Sequence, residues 1–451
     1  MTSLFNLFGS GEAFYISSPQ NLLGLILLLS LLTILVIYLG SQVLNNSIIY
    51  QLALGSSIIS FLLSLLLWYS LNETKEGFQA TYTFYLIPTL SFEIRLGVDG
   101  ISIFFLLLTN IFTYLCILSL NPNTFKLIEA LLYLFLLQWS VLASFVALDL
   151  LGFFIFFEIS LIPIYFLVLI WGSRERRVRA SYLISLYTLL GSIFMFFNIL
   201  YIYSKTGTTD YELLLSVNFS FEDQLFLWAT FFIAFASKIP VFPLHIWLPE
   251  AHVEAPTIGS VMLAVLLLKL GTYGIIRFSL PLFPEGTIYF APIVSTFAVL
   301  GVIYTCLTAI RQIDLKKIIA YSSVGHMNIV VLGIIAGNTE ALQGAIFQML
   351  SHGVVSGALF FCVGVIYERY SARSLKYFGG LAFFSPIFAT VFLIFSLANI
   401  SFPLTSSFIG EFLIFMGVFK YNIWVTIFAC TSMVLGAVYT YELIIEFFLE
   451  M

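Results

Sequence analysis

The stretches F-A-S-K-I-P-V-F-P (235–243) and L-L-L-K-L-G-T-Y-G (266–274) decide the fold class, because each places a lysine in an apolar run that Pro or Gly interrupts. Lys238 and Lys269 are the only two Lys or Arg residues that the hydropathy pattern places inside a membrane. A lysine near mid-bilayer costs about 2.5–3.5 kcal/mol, and an interrupted helix at that depth requires surrounding protein or a wet cavity. Lysine also changes its protonation readily on burial. The two stretches therefore predict a path for protons or ions.

The composition is that of an integral membrane protein with little mass outside the bilayer. Of 451 residues, 61% are hydrophobic and 9% are charged, whereas soluble domains carry about 25% charged residues. The runs are too long and too uniformly apolar for barrel strands. At about 20 residues per span they predict an all-α polytopic protein of roughly thirteen helices, near 22–43, 47–70, 99–120, 125–147, 150–171, 178–204, 223–249, 257–280, 287–310, 316–337, 339–368, 382–420 and 421–448.

Two polar stretches and a weak internal duplication organise the chain. Residues 72–98 alternate in polarity and predict a short hairpin, and 205–222 predict a second polar loop. The first half has an apolar helix containing Glu158 and then a helix broken by Pro240 and Pro243. The second half has two helices with histidines and then a helix broken at Pro403. Broken helices at corresponding places in two halves indicate an inverted-repeat transporter with its sites at the breaks.

Basic residues between the predicted helices indicate the topology. The net charge of −5 says little, because placement decides orientation in a membrane. Loops of one parity contain Lys126, Arg174, Arg176, Arg177, Arg179, Arg311, Lys316, Lys317, Arg369, Arg373 and Lys376, and the others contain Lys75, Arg95, Lys205, Arg277 and Lys420. We therefore expect the richer side to face the matrix or cytoplasm and the N-terminus to lie on the positive side. We expect no cleavable signal or transit peptide before the first span.

Glu158 lies in a wholly apolar helix, and Lys238 is its best candidate partner. A lone carboxylate there favours its protonated form, but a nearby ammonium favours the charged form. Such a pair titrates as a unit, so movement of one partner changes the proton affinity of the other. The alternative is a static buried ion pair that fixes helix packing. We favour the switch, because Lys238 adjoins a helix break, and we expect 4–6 Å or a bridging water between the two groups.

Lys269 has no acidic neighbour three or four residues away. Burial without a partner disfavours the ammonium form, which lets the side chain hold or release a proton. The alternative is a lysine that snorkels to a helix end. Apolar residues from Val261 to Leu268 argue against snorkelling.

All four histidines lie in or beside the apolar core, and histidine titrates near neutral pH. Hydroxyls and amides flank His326 and His352, which predicts a hydrated proton wire rather than satisfied core histidines. We include His245 among the candidate proton-path residues. His252 and Glu254 more simply shape a helix junction, because their spacing fits no zinc pattern.

Glu411 follows the break at Pro403, where a carboxylate can be the last protonatable stop before the exit side. The alternative is a charge that complements the helix dipole. The cysteines are far apart and predict inert packed thiols. No Rossmann fingerprint, P-loop or c-type haem motif is present. We therefore expect no cofactor, no metal and no redox centre in this chain.

Four stretches of the sequence resemble the same protein family. They are Phe235 to Gly274, A-Y-S-S-V-G-H-M (320–327), S-H-G-V-V-S-G-A-L-F-F (351–361) and F-I-G-E-F (408–412). This is the family of antiporter-like membrane chains of proton-pumping NADH–ubiquinone oxidoreductase, respiratory complex I. The resemblance covers about 120–448. The form A-H-V-E-A-P points to the subunit 4 branch rather than to the paralogous subunits 2 and 5 or to sodium–proton antiporter chains.

The resemblance implies a role for each candidate residue. Glu158 and Lys238 match the paired glutamate and lysine of the entry half, and Lys269 matches the central bridging lysine. His326 and His352 match polar residues of the second half, and Glu411 matches the exit-side ionisable residue. The implied fold is two inverted five-helix repeats, each with a broken helix.

The resemblance also implies partners and a location. NADH, flavin mononucleotide, iron–sulfur clusters and ubiquinone are expected in partner subunits, which include the paralogous subunits 2 and 5, together with lipids and without nucleic acid. The mitochondrial inner membrane is the expected location, with a bacterial or thylakoid membrane as alternatives. We expect N-terminal helices at 1–120, a first repeat at 121–280 and a second repeat at 281–451, without the fourteenth helix of the family. The rival functions are a cation–proton antiporter, a structural membrane subunit and a solute symporter.

Overall fold

Long helices make up most of the computed structural model, which describes residues 18–87 and 92–448. In chain order the helices are α1 (Pro19–Gly40), α2 (Asn46–Ser70), α3 (Ser102–Leu118), α4 (Leu127–Val146), α5 (Leu150–Ile159), α6 (Leu161–Trp171), α7 (Arg177–Thr206), α8 (Phe221–Lys238), α9 (Trp247–Glu254), α10 (Thr257–Leu282), α11 (Pro284–Ile310), α12 (Leu315–Ile335), α13 (Thr339–Tyr370), α14 (Pro386–Asn399), α15 (Ser406–Tyr421) and α16 (Ile423–Phe448). Within the described residues, 11 stretches are long and apolar enough to cross a membrane. Two more predicted spans are interrupted. The polytopic all-α prediction is confirmed.

Polar side chains fix several helix starts. Asp149 accepts a hydrogen bond from the Gly152 N–H at the start of α5. Asp314 accepts one from the Lys316 N–H, 3.0 Å away, at the start of α12. Each cap satisfies a backbone donor that has no partner within its helix. Asp149 and Asp314 therefore mark the boundaries where the chain enters the apolar layer.

The predicted hairpin is present, with strands β1 (Gln79–Ile87) and β2 (Phe92–Val98) paired antiparallel. Tyr82 lies opposite Leu96 in this ladder. The Leu148 N–H donates to the Arg95 carbonyl at 2.8 Å, which joins β2 to the link between α4 and α5. The hairpin therefore packs onto the helical bundle.

Two spans are interrupted near the prolines at which the sequence predicts a break. The chain leaves helical geometry after Lys238 and resumes it at Trp247, so α8 and α9 are two halves of one span. In the same way α14 ends at Asn399 and α15 begins at Ser406. Proline lacks an N–H and clashes with the carbonyl four residues earlier, which explains both interruptions. Both predicted breaks are confirmed.

A third interruption was not predicted. The run 150–171 is divided at Ser160 into α5 and α6. Pro163 lies just beyond and cannot bond to the carbonyl of Ile159. The division lies beside Glu158, so the backbone next to this carboxyl is irregular.

The central helix α10 contains two π-helical segments, Leu263–Leu267 and Ile275–Ser279. The Leu268 N–H donates to the Leu263 carbonyl, one residue further back than in an α-helix. Wide turns of this kind occur often at functional sites. The most apolar window of α10 is 100% buried by other helices. Lys269 therefore lies on a helix that has no lipid-facing side.

Lys238 and Lys269 are not the only buried cations that the structure describes. Arg277 lies in α10, 8% exposed, and pairs with Asp99 at 2.5 Å. Lys316 is 2% exposed in the first turn of α12, where its ammonium donates to the Ala255 carbonyl at 2.8 Å. Each of these cations has an oxygen partner supplied by another segment, and hydropathy cannot detect such a partner.

Candidate functional site

Lys269 and His352 are joined by a direct contact at the centre of the bundle. The Lys269 side chain is fully buried, and its Nζ lies 2.8 Å from His352 Nδ1. The same ammonium donates to the Ala264 carbonyl at 2.5 Å. The side chain therefore does not snorkel to a helix end. A proton on Lys269 has an imidazole acceptor within hydrogen-bond distance.

His326 and Glu411 form the second direct contact. His326 Nδ1 lies 2.7 Å from Glu411 Oε1, and both side chains are buried. The Gln348 amide donates to the same carboxylate oxygen at 3.2 Å. Glu411 is therefore held by two partners from two other helices. It is not a charge at a helix end that only complements the dipole.

The two contacts lie next to each other. The ring centroids of His326 and His352 are 5.6 Å apart, with an angle of 53° between the ring planes. His352 Nε2 is buried and has no hydrogen-bond partner within the described protein. A file of four titratable side chains therefore runs Lys269, His352, His326 and Glu411. We name it the central file.

Lys238 lies beside Glu158 but makes its direct contacts with Phe157 and Ser160 at the end of α5. Its ammonium donates to the Phe157 carbonyl at 2.6 Å and reaches Ser160 Oγ at 3.4 Å. It also lies 3.1 Å from the centroid of the Phe157 ring, a cation–π contact. The Glu158 carboxylate is close enough to interact electrostatically with Lys238, but it is absent from the direct partners of this ammonium that the structure describes.

Glu158 is partly buried and has a neighbour that sequence reasoning missed. The Ser192 side chain of α7 lies within hydrogen-bond reach of the carboxylate. One carboxylate oxygen of Glu158, Oε1, is buried without a described partner. Gly191 lets α7 approach α8 closely, because a Cβ there would collide with Ser237. The two small residues Gly191 and Ser192 in an apolar run were the feature of the sequence that could have indicated this close approach.

The helices that contain Lys238 and Lys269, α8 and α10, pack closely beside the two lysines. A Cβ added to Gly271 would lie 2.5 Å from Ile239 Cγ1 and 2.9 Å from the Phe235 carbonyl oxygen. In the described part of the chain, no hydrogen bond joins the two lysines. The structure thus brings together four of the predicted residues as the central file, and it places two more, Glu158 and Lys238, near each other outside that file.

The other two histidines lie outside these groups. His245 lies in the break between α8 and α9, where its ring packs against those of Phe242 and Tyr304 at 5.5 and 5.4 Å. The His252 ring stacks on Phe360 at 4.6 Å, and neither of its nitrogens has a described partner. Backbone carbonyls near His252 bind other segments; the Glu254 carbonyl accepts from the Ser173 N–H at 3.1 Å.

No group of three or more His, Cys, Asp or Glu in residues 18–87 and 92–448 is arranged to hold a metal ion. The cysteines are free thiols, and all but Cys430 are buried. Gln348 is a residue of the file region that the sequence analysis did not name. It links Glu411 to Ser351, which donates to the Gln348 amide oxygen at 3.2 Å.

Comparison with known proteins agrees with this arrangement. The family described as NADH:quinone oxidoreductase/Mrp antiporter, transmembrane, matches residues 147–436. This is well over half of the chain, and it includes Glu158, Lys238 and the central file. The chain belongs to this family. We call it the antiporter-like family below.

Curated members of the antiporter-like family are similar along most of the chain. NADH-ubiquinone oxidoreductase chain 4 of Marchantia polymorpha is 49% identical over 423 residues, which cover 93% of this chain and 85% of that protein. The protein of the same name from Acanthamoeba castellanii is 51% identical over 351 residues, 78% of this chain and 71% of that protein. The resemblance to the subunit 4 branch is confirmed.

Solved structures show the same fold. A chain of respiratory complex I from Thermus thermophilus with bound NADH has a TM-score of 0.86 and 32% identity, and the match covers 95% of this chain and 89% of that one. A chain of the archaeal membrane-bound sulfane sulfur reductase has a TM-score of 0.85 and 23% identity over 95% and 88%. The second likeness concerns the fold alone. The described residues therefore have the helix arrangement of the antiporter-like family.

Proposed function

We propose that this chain is the proton-translocating membrane subunit of an NADH:ubiquinone oxidoreductase. Protons move through buried Glu, Lys and His side chains and water, and this movement is coupled to electron transfer in other subunits. The observation that carries the proposal is the central file, in which Lys269, His352, His326 and Glu411 succeed one another within a fully buried region. Inert packing does not require four titratable groups in sequence at this depth.

The central file has the two properties that proton transfer needs. Lys269 contacts His352 and His326 contacts Glu411 within hydrogen-bond distance, and the ring centroids of the two histidines are 5.6 Å apart. Little water screens the charges, so the charge on one group strongly changes the proton affinity of the next. A proton arriving at Lys269 can therefore pass to His352 and onward to Glu411.

Glu158 and Lys238 are proposed as the entry pair. Lys238 is bound to the irregular backbone at the α5–α6 division, so a movement there changes its distance from Glu158. A change in that distance changes the proton affinity of both groups. Transfer from Lys238 to Lys269 passes from α8 to α10, and these helices pack closely at Ile239 and Gly271. We infer that hydration of this contact is the controlled step, since protons do not cross a dry apolar gap.

The remaining assignments follow from this proposal. The partners of this chain are the other membrane subunits of the oxidoreductase, including the paralogous subunits 2 and 5. NADH, flavin, iron–sulfur clusters and ubiquinone bind in partner subunits and not in this chain. The location is the mitochondrial inner membrane, with the N-terminus on the positive side. We divide the chain into N-terminal helices at 1–120, a first repeat at 121–280 and a second repeat at 281–451.

Substitution of Lys269 tests the proposal. Lys269→Arg keeps the positive charge but does not release its proton at accessible pH. We expect roughly 100-fold slower proton pumping by the assembled complex in vesicles, a loss typical of removing a proton-transfer group. Lys269→Ala should give a similar loss.

Lys420→Arg is the matched control, because Lys420 lies at the surface in an ion pair with Glu340. It should pump normally. A normal ratio of protons to electrons in Lys269→Arg would show that this lysine keeps its proton during turnover. The chain would then be a structural membrane subunit.

A further inference from the structure

A small polar cavity lies at the Glu411 end of the central file, between α12, the α14–α15 break and α16. Its volume is about 20 Å³. The polar side chains that line it are Ser322, His326, Asn399, Glu411, Ser432 and Tyr439. A cavity needs about 10–15 Å³ to hold one water, and that water needs two to four polar partners. The cavity meets both requirements for a single water molecule.

The last helix, α16, presents one face to this cavity. Ser432, Gly436 and Tyr439 line it and are spaced four and three residues apart, so they share one side of the helix. Tyr439 is 4% exposed, and its hydroxyl lies within reach of the Ser322 and Asn399 side chains. Polar groups from α16 therefore meet the end of the file inside the protein.

Ser432 provides an independent sign that the cavity has an occupant. Its side chain is 8% exposed, and its hydroxyl oxygen has no hydrogen-bond partner within the described protein. A buried hydroxyl without a partner is costly, so such groups are satisfied by protein or by ordered water. The cavity that Ser432 lines is where a water can satisfy it.

We propose that this cavity binds one water molecule and that the water passes protons from the His326–Glu411 pair to Ser432 and Tyr439 of α16. The inference rests on the proposed function and extends the path to a helix on which no predicted site residue lies. The transfer balances at each oxygen. The water takes a proton from the Glu411 carboxyl group, and His326 returns a proton to Glu411 across their 2.7 Å contact. The water releases one of its own protons to the Ser432 or Tyr439 hydroxyl, and that hydroxyl releases its proton to water on the exit side of the membrane. No oxygen in the chain keeps an extra charge.

Gly436→Ala tests whether the water is needed without removing any polar group. The added Cβ would lie 3.8 Å from the Tyr439 hydroxyl oxygen, which is ordinary van der Waals contact. The methyl group therefore fits but occupies space that the water uses. Gly55→Ala is the matched control, because its Cβ would meet nothing within 4 Å.

Two measurements on the assembled complex report the outcome. Electron cryomicroscopy of the native complex should show one ordered water in the cavity, and Gly436→Ala should lack it. Proton pumping in Gly436→Ala should be roughly tenfold slower, the change expected when a transfer step loses one hydrogen-bonded partner. Assembly and Gly55→Ala should be unaffected. Absence of water density in the native complex would refute the site.

Tyr439→Phe is the second variant, and it decides the outcome if Gly436→Ala fails to assemble. It removes the hydroxyl and keeps the ring, whereas Tyr441→Phe makes the same change at a position that is 65% exposed. Slower pumping in Tyr439→Phe alone supports the route through α16. Equal pumping in the two variants contradicts it.

Glu411→Gln separates this inference from the proposed function. If Glu411→Gln pumps slowly while Gly436→Ala and Tyr439→Phe pump normally, the file operates and the route through α16 is wrong. If Glu411→Gln pumps normally, the proposed function itself fails at its last group.

Discussion

Lys269 is fully buried, yet both of its described contacts are with oxygen or nitrogen acceptors inside the protein. An ammonium at that depth stays charged only while acceptors compensate for the loss of water. The carbonyl of Ala264 is fixed, but the imidazole of His352 can itself take the proton. The contact between Lys269 and His352 therefore joins two groups that can exchange one proton, and this exchange is the chemistry on which the central file depends.

His352→Gln should uncouple hydrogen bonding from proton transfer. A glutamine at this position can accept a hydrogen bond from Lys269, but it cannot carry a proton onward. We expect the complex to assemble and proton pumping to fall by roughly 100-fold. His252→Gln makes the same change at a histidine that stacks on Phe360 outside the central file, and it should pump normally. Normal pumping in His352→Gln, measured by the ratio of protons to electrons in vesicles, would remove this histidine from the path.

At the scale of the helices, the interruptions set the positions of the site groups. The breaks at Pro240 and Pro403 could be predicted, since proline in an apolar run has a direct steric effect. The division at Ser160 could not, because hydropathy reads 150–171 as one uniform span. The wide turns of α10 also leave no mark in composition. The contact between Lys269 and His352 joins positions 83 residues apart, and no sequence periodicity encodes such a distance.

The entry pair shows which features of a site residue types alone can predict. The sequence predicts that Glu158 and Lys238 act together, and the structure places the Lys238 ammonium on the carbonyl of Phe157, the residue next to Glu158. Pattern reasoning could not show that Lys238 binds the Phe157 carbonyl, since a backbone acceptor becomes available only where a helix is irregular. The identity of the candidates was accessible from the sequence, but their geometry was not.

Close packing of α13 on α15 holds Gln348 against Glu411, and Gly410→Ala should disturb it. A Cβ at Gly410 would lie 2.6 Å from Gln348 Oε1 and 2.9 Å from its Cα, so the helices must separate. We expect slower proton pumping, by roughly tenfold, from loss of one hydrogen bond to Glu411. Gly55→Ala has open space and serves as the control. If Gly410→Ala pumps like the native protein, Gln348 does not position Glu411.

At the scale of the whole molecule, one ion pair ties the N-terminal part to the central helix. Asp99 lies between β2 and α3, and its carboxylate is 2.5 Å from the Arg277 guanidinium of α10. Arg277 also donates to the Tyr273 hydroxyl, which in turn donates to the Phe145 carbonyl of α4 at 2.8 Å. Burial raises the pKa of Asp99, but Arg277 and Ser102 outweigh burial and hold the pKa below its usual range.

Arg277→Met should destabilise the complex by leaving Asp99 without its ion partner. Breaking a buried pair typically costs about 3–5 kcal/mol. A lowered pKa means that the contribution of Asp99 is fully present at neutral pH and is lost only as the pH falls through that pKa. The expected result is a lower thermal unfolding midpoint at pH 7. Lys420→Met breaks an exposed pair and should change the midpoint little. Equal midpoints for the two variants would contradict a structural role for Arg277.

The orientation of the molecule can be tested with two single cysteines. Lys75 lies in the segment leading to β1 and Arg176 in the loop before α7, and both are exposed. The distribution of basic residues predicts that they lie on opposite sides of the membrane. In sealed vesicles, an impermeant thiol reagent added on the matrix side should label Arg176→Cys and not Lys75→Cys. The reverse labelling pattern would invert the topology.

The complete burial of α10 has a consequence for how the chain is made. The acceptor that His352 supplies to Lys269 is synthesised 83 residues after the lysine itself. When α10 first enters the bilayer, its lysine faces lipid, at a cost of about 2.5–3.5 kcal/mol. That cost persists until α12 and α13 have been translated and have closed around it. The membrane stage of biogenesis therefore contains a waiting period, during which α10 depends on the insertion machinery or on the helices already made to shelter its charge.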